Sequence, residues 1–189
     1  MPNRAFIGVG TNLGDRAANY REAIGRVAAL PDSRVLRQSS IYETEPIDGV
    51  PGSIAFINGV IELETEFDAA GLMRRLLAIE RTMGRAPARS RKSGARGPFR
   101  PRIIDLDLLF FNKEIIDTPA LKVPHPRLHE RRFVLVPISE LAPALIHPKI
   151  NSSISEMLAA FKIPQRVTLM RADQLRPAPT SRKKSVSTR

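Results

Sequence analysis

The feature that most constrains this chain is a nine-residue apolar run, residues 103–111, that carries two aspartates. Pro101 precedes the run and Asn112 follows it, so its length and flanks predict a buried β-strand. Alternate side chains of a strand point to the same face, which places Asp105 and Asp107 side by side, about 7 Å apart. At an effective dielectric constant of about 20, their mutual repulsion is about 2–3 kcal/mol. A buried strand with this pair therefore requires a cation beside it.

Mg²⁺ suits this pair, because it prefers one or two carboxylates together with waters and substrate phosphates. We therefore interpret Asp105 and Asp107 as metal ligands. The structural alternative is that one aspartate caps a turn and the other forms a salt bridge with an arginine. The preceding segment favours the metal, since guanidinium groups match phosphate oxygens and the segment holds eight basic residues and no acidic one. These residues are Arg81, Arg85, Arg89, Arg91, Lys92, Arg96, Arg100 and Arg102.

Charge and composition limit the class of protein. Residues 81–104 contribute +8 and residues 171–189 contribute +5 to the net charge of +11, so the rest of the chain carries −2. A body so close to neutral argues against nucleic acid as a partner, although a nucleic-acid-binding module that uses the arginine segment and the tail remains an alternative.

The chain has no cysteine, which excludes disulfides and thiolate metal sites. No apolar stretch approaches about 18 residues and the first residues lack a secretory signal, so we expect a cytoplasmic protein without a membrane partner.

The spacing of apolar residues predicts an α+β fold. A strand at residues 6–9 is followed by a helix that Asp15 caps, and a β-prone segment covers residues 35–42. An alternating strand at residues 56–63 leads to a second helix that starts near Asp68, and the aspartate-bearing strand follows. This order is the ferredoxin-like, split βαβ pattern: an antiparallel sheet with helices on one face and a ligand surface on the other.

The remaining chain is less regular. An apolar patch at residues 133–138 has no assigned element, and residues 152–161 are predicted to form a last helix. We predict one domain at residues 1–170 and a basic, disordered tail at residues 171–189. The expected assembly is a monomer.

Six motifs along the chain belong together. They are Gly10-Thr11-Asn12-Leu13-Gly14, Ser39-Ser40-Ile41-Tyr42-Glu43-Thr44-Glu45-Pro46, Phe56-Ile57-Asn58, Pro101-Arg102-Ile103-Ile104-Asp105-Leu106-Asp107, Val123-Pro124-His125-Pro126 and Arg131-Arg132-Phe133. In this order they resemble the 6-hydroxymethyl-7,8-dihydropterin pyrophosphokinases of folate biosynthesis, over roughly residues 5–160.

The resemblance implies an enzyme with two small-molecule substrates, ATP and a hydroxymethyl dihydropterin. The β- and γ-phosphates of ATP would pass together to the pterin hydroxymethyl group, which releases AMP, and Asp105 and Asp107 would bind two Mg²⁺ ions. The residues alone lead to the metal but do not choose between pyrophosphoryl, phosphoryl and nucleotidyl transfer. A nucleotidyltransferase with an Asp-x-Asp strand is therefore the other alternative.

The resemblance also assigns residues to roles. The predicted catalytic residues are Asp105, Asp107, Arg85, Arg102 and a lid arginine, which we take to be Arg96 among Arg89, Arg91, Arg96 and Arg100. The predicted nucleotide contacts are Glu80, His125, Arg131 and Arg102. The predicted acceptor contacts are Thr44, Pro46, Phe56, Asn58 and Phe133. Phe56 and Asn58 suit this role, because a flat pterin ring requires aromatic faces and an amide at its edge, and these two residues share one strand face. Without the resemblance, Phe133 would be read as an ordinary core residue.

Overall fold

The structure, a computed structural model, describes residues 1–45, 54–84 and 103–171. Within these residues the first five strands are β1 (Asn3–Thr11), β2 (Ser33–Gln38), β3 (Tyr42–Thr44), β4 (Phe56–Thr65) and β5 (Asp105–Phe111). The strands that follow are β6 (Ile116–Asp117), β7 (Lys122–Val123), β8 (Ile146–His147), β9 (Ser152–Ser153) and β10 (Val167–Leu169). The helices are α1 (Arg16–Ala28), α2 (Ala69–Thr82), α3 (Arg132–Leu141) and α4 (Ile154–Ala159), and a 3-10 helix covers Leu128–Glu130.

Strand β1 lies inside a six-stranded sheet whose order is β10-β3-β4-β1-β5, with β2 also paired to β4. All of these pairs are antiparallel. The elements alternate as the ferredoxin-like pattern requires, so the predicted α+β fold class is confirmed. Two small hairpins, β6–β7 and β8–β9, lie outside this sheet.

The segment predicted as one strand at residues 35–42 is divided into β2 and β3. Ser39 explains the division, because its hydroxyl accepts the N–H of Val60 at 2.9 Å, where a strand would offer a main-chain carbonyl. The Ser39 N–H still donates to the Val60 carbonyl at 2.9 Å. The side chain thus replaces part of the ladder and lets the backbone turn away before β3 begins.

Helices α1 and α2 begin where the sequence predicts. The Asp15 carboxylate accepts the N–H of Ala18 at 2.9 Å, and that of Asp68 accepts the N–H of Gly71 at 2.6 Å. Both are N-cap hydrogen bonds, which satisfy backbone donors that a helix start leaves without partners. Just beyond α2, Gly84 has φ +98°, a conformation that favours glycine.

Two hydrophobic clusters cover opposite faces of the sheet. The first lies under α1 and α2 and includes Ile7, Ile57, Ile61, Leu72 and Leu76. The second lies under α3 and α4 and includes Phe6, Val60, Leu109, Leu135 and Ile138. The prediction of helices on one face therefore holds for α1 and α2 only, because α3 and α4 pack against part of the opposite face.

Helix α3 has no counterpart in the prediction, which left residues 133–138 without an element. The reason is local composition, because Phe133, Val134 and Val136 favour strands and Pro137 stands inside the helix. Burial decides the conformation instead. Val134, Leu135 and Ile138 all pack into the second cluster, which outweighs the weaker helix propensity of Val134 and Ile138.

The predicted boundaries are only partly covered by the structure. The elements from β1 to β10 all fall within residues 1–170. The predicted tail lies outside the described residues except for Arg171, so the domain division stays a prediction. No helix in the described part of the chain is long and apolar enough to cross a membrane.

We expect Gly59→Ala to lower the free energy of unfolding by about 1–3 kcal/mol, as overpacking does. A Cβ atom at Gly59 would lie 2.1 Å from the Tyr20 hydroxyl oxygen, beneath α1. Tyr20 is almost fully buried, so its ring has no free space into which to move. Urea-induced unfolding measures the change.

Gly25→Ala is the matched control on α1. A Cβ atom there would have no neighbouring atom within 4 Å. Alanine in a helix interior is expected to raise the free energy of unfolding by about 0.5–1 kcal/mol. Changes of the same sign in the two variants would contradict this account of the packing.

Candidate active site

A row of opposed residues crosses the sheet and joins the predicted metal site to the predicted acceptor site. Asp105 pairs with Gly10 of β1, which pairs in turn with Asn58 of β4. Tyr42 of β3 completes the row opposite Asn58. Opposed residues share a face, and neighbouring strands are about 4.8 Å apart, so Asp105 and Asn58 lie roughly 10 Å apart on one surface. Val60, two residues after Asn58, packs opposite α1 and α2, which identifies that surface.

The Asn58 side chain on β4 is held by two neighbours, one on each of the adjacent strands β3 and β1. Its Nδ2 donates to the Thr44 hydroxyl at 2.6 Å. Its Oδ1 lies over Gly10, where a Cβ atom would be only 2.9 Å away. Any side chain at position 10 would thus displace the amide. Asn58 and Thr44, both predicted acceptor contacts, are buried and form one hydrogen-bonded unit.

Gly10 is a positioning residue that the sequence interpretation did not identify as such. The signal was present, because Phe6, Gly8 and Gly10 alternate on one face of β1 and leave two positions without side chains. Glycine inside a strand often marks the close approach of another group. Here that group is the Asn58 amide.

A cation lies beside the aspartates, which are partly exposed rather than buried as the sequence predicted. Arg131 Nη1 donates to Asp107 Oδ2 at 3.1 Å, and the two side chains are 18% and 33% exposed. This salt bridge is also what the structural alternative predicts for Asp107. The described residues contain no group of three or more histidine, cysteine or acidic side chains suited to a metal ion. Two carboxylates on one face nevertheless fit Mg²⁺, which takes its other ligands from water and phosphate.

The rest of the Arg131 side chain favours a ligand site over a purely structural bridge. Its Nε is buried and has no hydrogen-bond partner among the described residues. A buried donor without an acceptor costs about 1–3 kcal/mol, which an anionic ligand would recover. The guanidinium carbon also lies 5.6 Å from the centre of the Phe133 ring. Arg131 therefore connects the aspartates to one of the predicted acceptor aromatics.

His125 lies next to Arg131 and is uncharged near neutral pH. Burial is the largest cause, followed by the charge of Arg131; together they lower the pKa of His125 to about 4, although Asp105 opposes the shift. Its Nδ1 lies 3.2 Å from the backbone N of Arg127, and its Nε2 lies 3.4 Å from Arg131 Nη1. Both neighbours are donors, and a neutral imidazole accepts at one nitrogen only, so the ring accepts from one of them. The ring thus brings an uncharged side chain to the predicted phosphate site.

Glu80 holds the aspartate-bearing strand from the side of α2. Its carboxylate is buried, and Oε1 accepts the N–H of Leu106 at 2.8 Å. Leu106 stands between Asp105 and Asp107, so this bond fixes the backbone from which both carboxylates project. The predicted contact of Glu80 with the nucleotide stays a prediction.

The two predicted acceptor aromatics lie on the same side of the sheet. Phe56 is partly buried and shares the strand face of Asn58. Phe133, near the start of α3, is partly buried and packs against the second cluster. A partly covered aromatic face is what a stacking contact with a ring requires.

Glu140 fixes the distance between α3 and β3, a role that the sequence did not reveal. Its carboxylate accepts the Ser40 N–H at 2.7 Å and also accepts the hydroxyl proton of Tyr42. Burial, followed by this hydrogen bond, raises the pKa of Tyr42 to about 12, so the hydroxyl stays a donor. Helix α3, which carries Phe133, is thereby tied to the strand that carries Thr44.

Four predicted site residues lie outside the described residues. They are Pro46, Arg85, Arg96 and Arg102. Their assignments stay predictions. The described candidate site is formed by Thr44, Phe56, Asn58, Glu80, Asp105, Asp107, His125, Arg131 and Phe133.

Residues 6–143 match the model of the family described as 7,8-dihydro-6-hydroxymethylpterin-pyrophosphokinase (HPPK). The chain belongs to this family. The match contains every residue of the candidate site, and the predicted resemblance and the predicted class of enzyme, a pyrophosphokinase of folate biosynthesis, are both confirmed.

Curated relatives agree with the family match. The 2-amino-4-hydroxy-6-hydroxymethyldihydropteridine pyrophosphokinase of Bacillus subtilis is 39% identical over 141 residues, which is 75% of this chain and 79% of the relative. The protein of the same name from Methylorubrum extorquens is 38% identical over 143 residues, which is 76% of this chain and 85% of the relative.

Solved structures support the fold. The wild-type Plasmodium falciparum HPPK-DHPS chain matches with a TM-score of 0.65 at 15% identity. The match covers 85% of this chain and 44% of the Plasmodium chain, so this chain spans less than half of that protein. At this identity the likeness shows the fold of an HPPK domain and no more.

We expect the free energy of unfolding of the metal-free protein to fall with decreasing pH, because the folded state disfavours protonation of His125. The pKa of His125 is about 4 when folded and about 6.5 when unfolded, so the stabilisation is complete above pH 6.5 and declines towards pH 4. Urea unfolding of the wild type and of His125→Gln, measured between pH 4 and pH 7.5, gives the difference in free energy of unfolding. That difference should shrink as the pH falls, and a constant difference would contradict the assignment.

Proposed function

We propose that this protein transfers the β- and γ-phosphates of ATP, as one group, to the hydroxyl of 6-hydroxymethyl-7,8-dihydropterin in a Mg²⁺-dependent reaction that releases AMP. The observation that supports this proposal best is the row that links Asp105, through Gly10, to Asn58. It sets an acidic, cation-binding end and an aromatic, amide-bearing end on the same surface. Membership of the pyrophosphokinase family agrees with the reaction proposed.

The acceptor end suits a pterin ring. Phe56 and Phe133 supply aromatic surface, and the Asn58–Thr44 unit supplies polar atoms for the edge of the ring. Because Asn58 and Asp105 lie roughly 10 Å apart, a bicyclic ring placed over Asn58 can extend its one-carbon arm towards the aspartates. The reacting hydroxyl would then lie next to the carboxylates.

The acidic end suits the metal and the triphosphate. Asp105 and Asp107 would hold Mg²⁺, and the family resemblance leads us to expect two ions. When bound, Mg²⁺ neutralises charge on the phosphates and lowers the pKa of the acceptor hydroxyl. One of the two carboxylates would accept the proton that the hydroxyl loses.

Arg131 and His125 would bind phosphate oxygens. The buried Nε of Arg131 lacks an acceptor among the described residues, and a phosphate oxygen would supply one. The neutral His125 ring lies beside Arg131 without adding a charge to the site. Transfer of this kind depends on positioning and charge neutralisation, so no covalent nucleophile is needed. Arg85, Arg96 and Arg102 would add further cations, as the sequence predicts.

Asp107→Asn is expected to lower kcat roughly a hundredfold or more, because loss of metal-mediated neutralisation costs several kcal/mol. The variant keeps the shape of the side chain and a hydrogen-bond acceptor for Arg131. The assay contains ATP, Mg²⁺ and the hydroxymethyl dihydropterin, and chromatography identifies the adenine product. Wild-type protein should give free AMP and the pterin diphosphate.

Asp117→Asn is the matched control, since Asp117 is exposed and pairs with Lys122 outside the site. It should leave kcat unchanged. AMP attached to the acceptor, with release of free pyrophosphate, would indicate a nucleotidyltransferase and refute the proposal. Near-normal turnover by Asp107→Asn would refute the metal role of this residue.

Phe133→Ala is expected to weaken pterin binding roughly tenfold and to change ATP binding much less, since it removes an aromatic face worth about 1–1.5 kcal/mol. Isothermal titration calorimetry with each ligand measures the two affinities. Phe161→Ala is the control, because Phe161 packs against the same hydrophobic cluster but lies beyond α4. Equal losses for pterin and ATP in Phe133→Ala would argue against stacking.

A further inference from the structure

Strand β10 lies beyond residues 6–143, the part of the chain that the family model matches. It pairs with β3, so that Val167 is opposite Thr44 and Leu169 is opposite Tyr42. Met170 extends the pairing by donating its N–H to the Ile41 carbonyl at 2.9 Å. The segment that follows α4 therefore returns to the strand that carries the acceptor residue Thr44.

The register places Val167 on the acceptor face. Thr44, opposite Val167, is itself opposite Phe56, so these three residues form a second row across the sheet. Opposed residues share a face. The alternation of side chains along β10 agrees with this placement. Met170 comes three residues after Val167 and therefore faces the other side of the sheet, where it packs against the first cluster under α1 and α2. Val167 is partly buried in this position.

Gln165 ties the same segment to the other side of the acceptor site. Its Oε1 accepts the N–H of Arg132 at 2.9 Å, and its Nε2 donates to the Glu130 carbonyl at 3.4 Å. Arg132 is the first residue of α3 and directly precedes Phe133. Residues 165–167 therefore run from the Phe133 side of the site to the Thr44 side.

We propose that β10 forms the outer wall of the acceptor site and that Val167 is a specificity-determining residue of this enzyme. The inference rests on the proposed function, because it takes the pterin to lie between Phe56 and Phe133. Val167 presents an apolar isopropyl group at the edge of that space. It therefore favours an unsubstituted ring edge and disfavours bulk or charge there.

Val167→Asp and Thr168→Asp form a matched pair that tests the wall. Val167→Asp is expected to raise the KM for the pterin roughly tenfold or more, with the KM for ATP unchanged, because a carboxylate replaces apolar surface. Thr168→Asp adds the same charge to the same strand, but its side chain is exposed and faces the other way. It should leave both KM values unchanged, and thermal unfolding shows that both variants are folded.

Val167→Ala tests specificity directly. It should reduce the ratio of kcat/KM between the parent pterin and an analogue with an added ethyl group on the ring, because it removes bulk from the wall. An unchanged ratio, or an equal rise in the pterin KM for the two aspartate variants, would overturn the inference. Failure of the wild-type protein to release AMP would instead overturn the proposed function, so the two failures are distinguishable.

Discussion

The hydrogen-bond register of β1 with its two neighbours is the constraint on which the candidate site depends. A shift by one residue would move Asp105 or Asn58 to the opposite face of the sheet. A β-bulge in the pairing of β1 with β5, between Phe6 and Ile7, adjusts this register. It lets the consecutive residues Leu109 and Phe110 both pack into the second cluster, while the aspartates stay opposite the two glycines of β1. The bulge thus allows one strand to combine an apolar segment that packs into the core with an acidic segment that keeps its register in the site.

One aspartate of the site is paired with a cation before any ligand is added. Asp107 forms an ion pair with Arg131, and Arg131 reaches the Phe133 ring, so the same guanidinium touches the acidic end and one acceptor wall. The bridge is partly exposed, so its own contribution to stability is small. Its importance lies in position, because a triphosphate that binds at the aspartates meets a cation that is already oriented by Asp107 and by the aromatic ring.

Much of the fold and part of the site follow from the sequence. The caps at Asp15 and Asp68, the alternation of β4 and the shared face of Asp105 and Asp107 depend on neighbouring residues, and local patterns predict them. The missed features depend on distant partners. Helix α3 takes its conformation from burial against the sheet, and β10 exists only because β3 offers a free edge.

Dependence on distant partners also limits what the sequence predicts about the candidate site. Gly10 makes room for the amide of Asn58, 48 positions along the chain, and no pattern within β1 alone indicates that partner. Glu80 could be placed one position beyond the apolar stripe of α2. Its bond to the Leu106 N–H became evident only from the way α2 packs beside β5.

The bond between Glu80 and Leu106 has a consequence for the whole sheet. Strand β5 is the last strand in the sheet order, and outward-facing amides and carbonyls on such a strand can add a strand from a second chain. Here the outward N–H of Leu106 is taken by the Glu80 carboxylate, and the Leu109 carbonyl accepts the N–H of His125 at 2.9 Å. Two outward groups of this edge are therefore already hydrogen-bonded within the chain, and one of the two bonds also fixes the backbone between the aspartates.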